Sequence, residues 1–477
     1  MSRLCRASPL LGGYGPLGPL LSPRRGAPMV RAAAARVGAA GGGREDRVST
    51  ESKYFCPLPW VHFYTEPNGT VSLCCVANPP LVGADQRALS IQRQPAREIW
   101  NGEAFRHARR QMASGEPVDF CSYCYRNEEN GVPSYRQFAL GEFREVQGRS
   151  IAEIVRESAA RGWAADDPVY VDLRLGNLCN LKCRMCHPDF SSQIERDPIH
   201  AGWRRGDRDT SLPGLAHRFD DNLEHWSESL ELIEELAEFT EEVEFIQLAG
   251  GEPTINKAQL QLLQRLVERD QAKRIRLTIW SNLTSVQPGF YRLLENFAQV
   301  VVYGSTDGFG ATYEYIRFPG DWAAFDRNAR ALTRLPRLCL FVSPVLQAYN
   351  ALDLTRLYDW CLEVGARPQI NILNQPLYLD YRILPMAART LAAERLAGWI
   401  ARHRGHPLVD DKFAASLDGL VGALANEEDR LKGAPIEDFM RFTDDLDASR
   451  GQDIRTALPE LFALWRDARG WRGTRSG

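Results

Sequence analysis

The sequence predicts an α/β protein: a partial (β/α)6 barrel, preceded by a small cysteine-rich α+β domain and followed by a helical C-terminal tail. Three observations support this prediction. Strand-like and helix-like segments alternate along the middle of the chain, eight of the eleven cysteines fall into two groups, and 477 residues are too many for one ordinary core. We expect four regions, over residues 1–50, 51–150, 165–385 and 386–477.

The composition is that of a folded chain, with 44% hydrophobic and 25% charged residues. A formal net charge of −3 gives no reason to expect a nucleic acid or a membrane surface as partner. No apolar run approaches the roughly 20 residues that span a bilayer. Grouped cysteines in a large chain indicate metal binding rather than disulfides, so we expect a reducing, cytoplasmic location.

The first 44 residues differ from the rest, because they contain seven arginines and no acidic residue or lysine. An arginine-rich, acid-free start can resemble an organelle transit peptide. Five prolines, however, oppose the amphipathic helix that such peptides form. We predict a disordered leader. A start codon assigned too early, with Met29 as the alternative start, is a second explanation.

Short elements are expected in the cysteine-rich region. Residues 60–64 and 70–74 have the pattern of strands joined by a turn. Residues 96–112 have a helical pattern with a weak point at Gly102. A connecting helix is expected over residues 151–160.

Six strand–helix repeats follow. The predicted strands are 169–175, 243–248, 275–280, 300–305, 338–346 and 369–373. The predicted helices are 229–239, 257–268, 291–297, 323–335 and 352–364. Such repeats imply a parallel sheet with helices outside, and six of them favour an incomplete barrel over an eight-fold one. The active groups should lie where the strands end. The long insertion before residue 243, including residues 197–221, should shape access to that site.

A C-x3-C-x2-C pattern follows the first barrel strand directly, formed by Cys179, Cys183 and Cys186. Iron–sulfur clusters are held by thiolates, normally four for a four-iron cluster. Three thiolates leave one iron open to a substrate or cofactor, as catalytic zinc keeps one position open. A structural zinc site is the alternative. It needs a fourth ligand, and His187, the only adjacent candidate, would be cramped beside Cys186.

These cysteines resemble the signature of the radical S-adenosylmethionine (SAM) superfamily. The resemblance implies that the open iron chelates the amino and carboxylate groups of SAM. It also implies reductive cleavage to a 5′-deoxyadenosyl radical that abstracts hydrogen from a substrate. Met185 stands where family members often carry an aromatic residue near the adenine, and we expect it to contact SAM as a soft apolar substitute.

The second barrel strand ends in Gly250, Gly251 and Glu252. Two glycines let the backbone approach a ligand closely and leave peptide groups free to bond it. The motif resembles the glycine-glycine-glutamate motif with which the superfamily binds the SAM amino group. Alone, these residues would be an ordinary turn. Their place one strand after the cysteines favours SAM binding.

Polar residues also end the third and fourth strands. Ser305 and Asp307 are two residues apart and therefore share a face, so the carboxylate could accept hydrogen bonds from the ribose of SAM. A polar turn is the alternative. Asn282 could bond SAM or cap a helix. Arg317 could face a carboxylate of SAM or substrate, or form a structural salt bridge.

The second cysteine group precedes the barrel: Cys56, Cys74, Cys75, Cys121 and Cys124. Four of these ligands could also suit zinc. Their spacing resembles the twitch domain, the one-cluster relative of the SPASM domain, which binds an auxiliary [4Fe–4S] cluster with full cysteine ligation. The Gly69-x4-Cys74 spacing favours Cys74 over Cys75, so the expected ligands are Cys56, Cys74, Cys121 and Cys124.

Twitch domains usually follow the barrel, whereas this one precedes it, as in the twitch-domain-containing radical SAM proteins. That resemblance covers residues 54 to about 385. It implies two [4Fe–4S] clusters, SAM, and an electron donor such as flavodoxin or ferredoxin. It also implies an oxidoreductase or maturase acting on an unidentified peptide or small molecule, with the auxiliary cluster transferring electrons or docking substrate. The alternative is a non-enzymatic metal-binding or electron-transfer protein. Glu252 and its glycines oppose an electron carrier, which needs no amino-acid pocket.

Overall fold

A computed structural model describes residues 50–129, 133–206, 226–286 and 288–471 of the chain. The expected leader lies outside these residues. So does the part of the expected insertion from residue 207 to residue 225.

The cysteine-rich region consists of short elements. In chain order they are α1 (Leu58–Val61), β1 (His62–Thr65), β2 (Val71–Ser72), α2 (Ala96–Trp100), α3 (Glu103–Ala113), α4 (Ser122–Glu129), α5 (Tyr135–Glu142), β3 (Glu145–Val146), β4 (Arg149–Ser150) and α6 (Ile151–Ala160). The first strand was expected at residue 60 but starts at His62. Pro57 and Pro59 favour a helical turn before it, since proline fixes φ and lacks the N–H that a ladder needs. The expected weak point at Gly102 separates α2 from α3.

The middle of the chain forms the expected strand–helix repeats. Its elements are β5 (Tyr170–Leu173), α7 (Ser192–Glu195), α8 (Pro198–Gly206), α9 (Leu230–Phe239), β6 (Phe245–Leu248), α10 (Lys257–Glu268), β7 (Arg276–Ser281), α11 (Pro288–Leu294), β8 (Gln299–Gly304), α12 (Ala311–Ile316), α13 (Trp322–Leu332), β9 (Leu338–Val342), β10 (Val345–Leu346), α14 (Leu354–Val364), β11 (Arg367–Pro368) and β12 (Asn371–Ile372). Apart from the last two predicted strands, the predicted ends are correct to within three residues.

The main sheet has the strand order β11-β9-β8-β7-β6-β5-β1-β2. Neighbouring strands are parallel from β11 to β1, and β2 is antiparallel to β1. Strand β1 from the cysteine-rich region pairs with β5, with His62 opposite Tyr170. The hydrophobic core continues across the same boundary, where the Phe63 ring meets Phe239 of α9 edge-on at 5.0 Å. The cysteine-rich region therefore extends the sheet of the partial barrel.

The last two predicted strands are each divided. The fifth, expected over 338–346, ends at Val342 and resumes as β10, because Pro344 between them has no N–H to donate to a ladder. The sixth was expected over 369–373. Its pairing with β9 is made earlier, by Arg367 and Pro368, and β12 pairs with β10 in a separate two-stranded sheet.

The C-terminal region is helical, as expected, with α15 (Met386–His403), α16 (Asp411–Ala425), α17 (Ala434–Arg450), α18 (Ile454–Ala457) and α19 (Pro459–Arg469). It packs around Trp399, Phe439 and Trp465, all buried. Barrel residues such as Leu354 and Tyr358 belong to the same core, so the extension is packed onto the barrel.

Within the described ranges, no helix combines the length and apolar character needed to cross a membrane.

Candidate functional site

Cys179, Cys183 and Cys186 lie in the loop that leaves the carboxyl end of β5. Cys179 and Cys183 are buried and Cys186 is half-buried, and all three pack in one small cluster with Leu181. Burial raises the pKa of each thiol, and neighbouring thiols raise the pKa of Cys179 and Cys183 further; for Cys183 it reaches about 12. Thiols buried so close together favour a bound metal, which stabilises the thiolate form.

The predicted glycine motif supports this loop directly. A Cβ on Gly251 would lie 2.2 Å from the carbonyl oxygen of Leu178, immediately before the first cysteine. The Glu252 N–H donates to that same oxygen at 2.7 Å. Gly250 has φ +79° and packs against the Arg174 side chain and the Gly176 carbonyl. The glycines were expected to admit a ligand, and here they admit the backbone of the cysteine loop. Their contact with SAM stays a prediction.

The Glu252 carboxylate is buried and already well bonded. It accepts hydrogen bonds from the Ser281 hydroxyl and the Asn282 N–H, each at 2.6 Å, and from the Thr254 hydroxyl and N–H at 2.6 and 3.1 Å. Burial raises its pKa and these bonds lower it. In this structure Glu252 joins the loops after β6 and β7, and its role toward SAM is untested.

Asn282 also lies beside the cysteine loop. Its Nδ2 donates to Asn180 Oδ1 at 2.9 Å and lies 4.0 Å from the Cys179 sulfur. Its Oδ1 accepts from the Thr284 N–H at 3.0 Å, which closes a turn rather than capping a helix. The predicted contact between Asn282 and SAM remains untested.

Asp307 and Arg317 form a buried ion pair. Arg317 Nε lies 2.7 Å from Asp307 Oδ2, and Asp307 Oδ1 accepts from the Val345 N–H at 2.8 Å. Arg317 Nη1 points to the Cys183 sulfur at 3.8 Å. The salt bridge considered for Arg317 is therefore present, and both oxygens of the carboxylate expected to bind ribose have partners. Ser305, the other residue of that predicted contact, is half-buried, and its N–H donates to the Ser281 carbonyl at 2.7 Å.

Sequence reasoning missed the contribution of the C-terminal extension. Arg184, within the cysteine loop, forms a fully buried ion pair with Asp447 of α17. Its Nε donates to the Tyr315 carbonyl at 3.0 Å, and its guanidinium lies 3.8 Å from the centre of that ring. Met185, the expected adenine contact, packs between the cysteine cluster and the C-terminal core. No sequence signal connects Arg184 with a residue 263 positions away.

The second cysteine group also comes together. A pocket is lined by the four predicted ligands Cys56, Cys74, Cys121 and Cys124, together with apolar side chains, Tyr135 and Arg136. Cys75 is not part of this lining. Its charge instead influences Tyr64, Tyr170 and Arg174 on one face of β1 and β5. The pocket thus favours Cys74 over Cys75, as the spacing does.

The side chains of this pocket suit a metal group that is held by thiolates. Burial raises the pKa of its thiols, to about 12 for Cys121. Four thiols supply the full cysteine ligation of a four-iron cluster. Arg136, ion-paired with Glu128, fixes the pocket wall by donating to the Phe55 carbonyl at 2.8 Å.

Two family models match parts of the chain. Residues 173–361 match the family model described as the radical SAM superfamily. Residues 56–125 match the model of SPASM, described as an iron–sulfur cluster-binding domain. A comparison with curated proteins finds no match.

Solved structures give weaker likenesses. Streptococcus suis SuiB bound to the precursor peptide SuiA is 14% identical, with 60% of each chain covered and a TM-score of 0.35. Native anSMEcpe with bound AdoMet is 17% identical over 49% of this chain and 61% of its own, also with a TM-score of 0.35. The chain spans about 60% of the length of these structures.

Proposed function

We propose that this chain is a radical SAM enzyme with a SPASM-type domain ahead of its barrel. It cleaves SAM reductively at a [4Fe–4S] cluster held by Cys179, Cys183 and Cys186. The observation that carries the proposal is the contrast between the two sites. Four thiols line the N-terminal pocket, whereas three follow β5. Four thiolates complete a four-iron cluster, and three leave one iron open.

When bound, the cluster and SAM supply an electron and a 5′-deoxyadenosyl radical that abstracts hydrogen from the substrate. The chain's own residues fix the geometry. Ser191 Oγ donates to the Leu181 carbonyl at 2.7 Å, and the Cys179 N–H donates to Ser192 Oγ at 3.3 Å. Together with Gly251, these contacts hold the cysteine loop in one conformation, which orients the thiolates before any ligand binds.

The N-terminal pocket serves electron transfer or substrate docking. Its four thiols leave no iron free for SAM. Strands β1 and β5 pair directly, and on one face of that pair the Arg174 guanidinium lies 4.9 Å from the centre of the Tyr64 ring. Arg174 in turn contacts Gly250 of the SAM motif. We place the substrate, an unidentified peptide or small molecule, on this polar face. The proposal includes a flavodoxin- or ferredoxin-type electron donor and a cytoplasmic location.

Iron counting with two cysteine variants tests the assignment. The intact protein should hold about eight irons, and replacing Cys179, Cys183 and Cys186 by alanine should leave about four. Replacing Cys121 and Cys124 should also leave about four. Anaerobic 5′-deoxyadenosine formation should be absent from the first variant and persist in the second. Cys361→Ala, a buried thiol of α14 outside both sites, serves as the control and should change neither quantity.

Two results would contradict the proposal. A colourless, zinc-containing protein would support the non-enzymatic alternative. A brown protein that forms no 5′-deoxyadenosine from SAM under strong reductant would be an electron-transfer protein. Circular dichroism of each variant separates loss of a cluster from loss of the fold.

A further inference from the structure

Two buried guanidinium groups lie beside the loop that carries Cys183, and they come from distant parts of the chain. Arg317 lies after α12, and its Nη1 is 3.8 Å from the Cys183 sulfur. Arg450 is the last residue of α17 in the C-terminal extension, and none of its side chain is exposed. Arg450 also lies beside the cysteine loop: its guanidinium is 5.5 Å from the centre of the Phe318 ring, and the Phe318 carbonyl accepts from the N–H of Lys182, the residue before Cys183, at 2.6 Å.

The charge on Arg317 is balanced locally. Its ion pair with Asp307 is short and buried, and the Val345 N–H holds the other carboxylate oxygen. The pair fixes the guanidinium with one N–H directed at sulfur. Arg317 therefore contributes mainly a hydrogen-bond donor to Cys183.

The charge on Arg450 is balanced much less. Its Nη2 lies 2.9 Å from His200 Nδ1, and its closest carboxylate contact is with Asp197 at 4.0 Å. Asp197 already bonds Lys182 at 3.0 Å. In the described part of the chain, Nε and Nη1 of Arg450 have no hydrogen-bond partner. Burial lowers its pKa to about 10, so it is still a cation at neutral pH. A buried cation with free donors is costly unless an anion lies nearby.

The proposed cluster would be that anion. Three thiolates make the site negative, and one-electron reduction by a low-potential donor adds a further negative charge without moving an atom. The reduction potential of an iron–sulfur cluster depends on net charge, hydrogen bonds to sulfur and burial. A nearby buried cation stabilises the reduced state more than the oxidised state.

We propose that Arg450, together with Arg317, is a positioning residue that raises the reduction potential of the cluster on Cys179, Cys183 and Cys186. This inference rests on the proposed function. It gives the C-terminal extension a direct role at the catalytic centre, because α17 supplies the less balanced of the two charges.

A reductive titration of the full-length holoprotein, followed by electron paramagnetic resonance, tests this. The signal of interest is the one that changes when SAM is added, since only a cluster with an open iron responds. Arg450→Gln should move its midpoint to a more negative potential. We expect the ratio of reduced to oxidised cluster at a fixed potential to fall about tenfold, which is about 59 mV for one electron. Arg450→Lys should stay near the wild type.

Two further variants sharpen the test. Arg441→Gln removes an arginine of the same helix whose side chain is 70% exposed, and it should leave the midpoint unchanged. Asp197→Asn removes the carboxylate beside Arg450 and Lys182, and it should move the midpoint in the positive direction. Because this shift of the midpoint has the opposite sign, it tests the proposal even if Arg450→Gln fails to fold.

An unchanged midpoint in Arg450→Gln with full iron content would overturn the inference, and so would equal shifts in Arg450→Gln and Arg441→Gln. Weaker SAM binding at an unchanged midpoint would also overturn it, since Arg450 would then bind the SAM carboxylate. The proposed function fails separately, through absence of any SAM-responsive signal in the wild-type protein.

Discussion

Gly251 is where the loop after β6 meets the cysteine loop, backbone to backbone. Its φ is +28°, and a Cβ added there would lie 2.2 Å from the Leu178 oxygen, so there is no room for a side chain. We predict that Gly251→Ala displaces the loop, removes about four irons and abolishes SAM cleavage. Gly422→Ala, in an open helical position of α16, is the control. It should retain all iron and stability, because alanine favours a helix. Full iron content in Gly251→Ala would contradict this packing role.

The motif could be found from the sequence, but the partner of its glycines could not. Adjacent glycines before a glutamate indicate a close backbone approach of some kind. Which atom approaches depends on the alignment of β5 and β6, and only the folded sheet sets that alignment. The same is true of Asp307 and Arg317, whose pairing depends on how α12 lies against the end of β8.

His62 provides a pH-dependent test of the strand that joins the two regions. It is fully buried against Tyr170, with ring centres 4.2 Å apart. Burial lowers the pKa of His62 to about 3, and the charge of Arg174 lowers it further. The unfolded chain therefore takes up a proton near pH 6.5 and the folded chain does not. This difference costs stability as the pH falls below that value.

We predict that His62→Phe, which keeps the ring stacking, removes this part of the pH dependence. Between pH 6.5 and 5 the wild type should lose up to about 1.4 kcal/mol per pH unit more than the variant. Denaturant unfolding at both pH values measures the difference. Asp172, whose pKa burial raises to about 6, acts in the opposite direction, but it is present in both proteins and cancels. Parallel pH profiles would show that His62 is protonated in the folded chain.

At the scale of elements, α17 contacts the cysteine loop through one carboxylate, that of Asp447. Asp447 pairs with Arg184, accepts from the Tyr315 hydroxyl at 2.8 Å, and accepts from the Ile454 N–H at 2.8 Å. All of these groups are buried. Removing the carboxylate leaves an uncompensated guanidinium in the interior.

We predict that Asp447→Ala lowers the free energy of unfolding by about 3–5 kcal/mol. The amount of iron bound by the cysteine loop should fall together with the stability. Asp438→Ala, which breaks a pair with the exposed Arg441 on the same helix, should cost about 0–1 kcal/mol. Denaturant unfolding and iron content measure both variants. Equal effects would show that the extension packs on the barrel without depending on this ion pair.

Elements with local signals were predicted well. The helix over residues 151–160 has its predicted bounds, and Ser150 and Glu153 form a capping box at its start. Helix α10 also has its predicted bounds, with Asn256 as its N-cap. The late strands were predicted less well, because an apolar run does not show where Pro344 divides the ladder. Helix α12 was missed altogether, since it is short and lies inside a loop that carries site residues.

At the scale of the whole molecule, the cysteine-rich region and the barrel share one sheet. A chain that begins at residue 165 would leave the β5 edge unpaired and the core around Phe239 uncovered. We predict that this truncation aggregates or fails to bind iron at the cysteine loop, because unpaired edges and exposed apolar patches promote association. Soluble yield, size-exclusion chromatography and iron content measure the outcome. A monomeric truncation that cleaves SAM would show that the barrel folds independently.

The division into regions was predicted from composition and cysteine grouping, and these describe local character. Pairing between β1 and β5 could not be predicted this way, because a short strand such as His62–Thr65 has no local feature that selects a partner. Helix α17 and the cysteine loop are also far apart along the chain, so their contact could not be predicted in this way either. The sequence indicated the chemistry of each cysteine group. It did not show how the sheet joins the two groups.

The pairing of β1 with β5 also bears on the order of assembly during synthesis. His62 leaves the ribosome about 100 residues ahead of its partner Tyr170, roughly 5–20 s at ordinary elongation rates. During this interval β1 has only β2 beside it, and its other edge is unpaired. All four thiols of the N-terminal pocket precede β5 in the chain, whereas the three thiols of the cysteine loop follow it. Metal loading of the first site can therefore begin on a nascent chain, while the second site has to await the strand that completes the sheet.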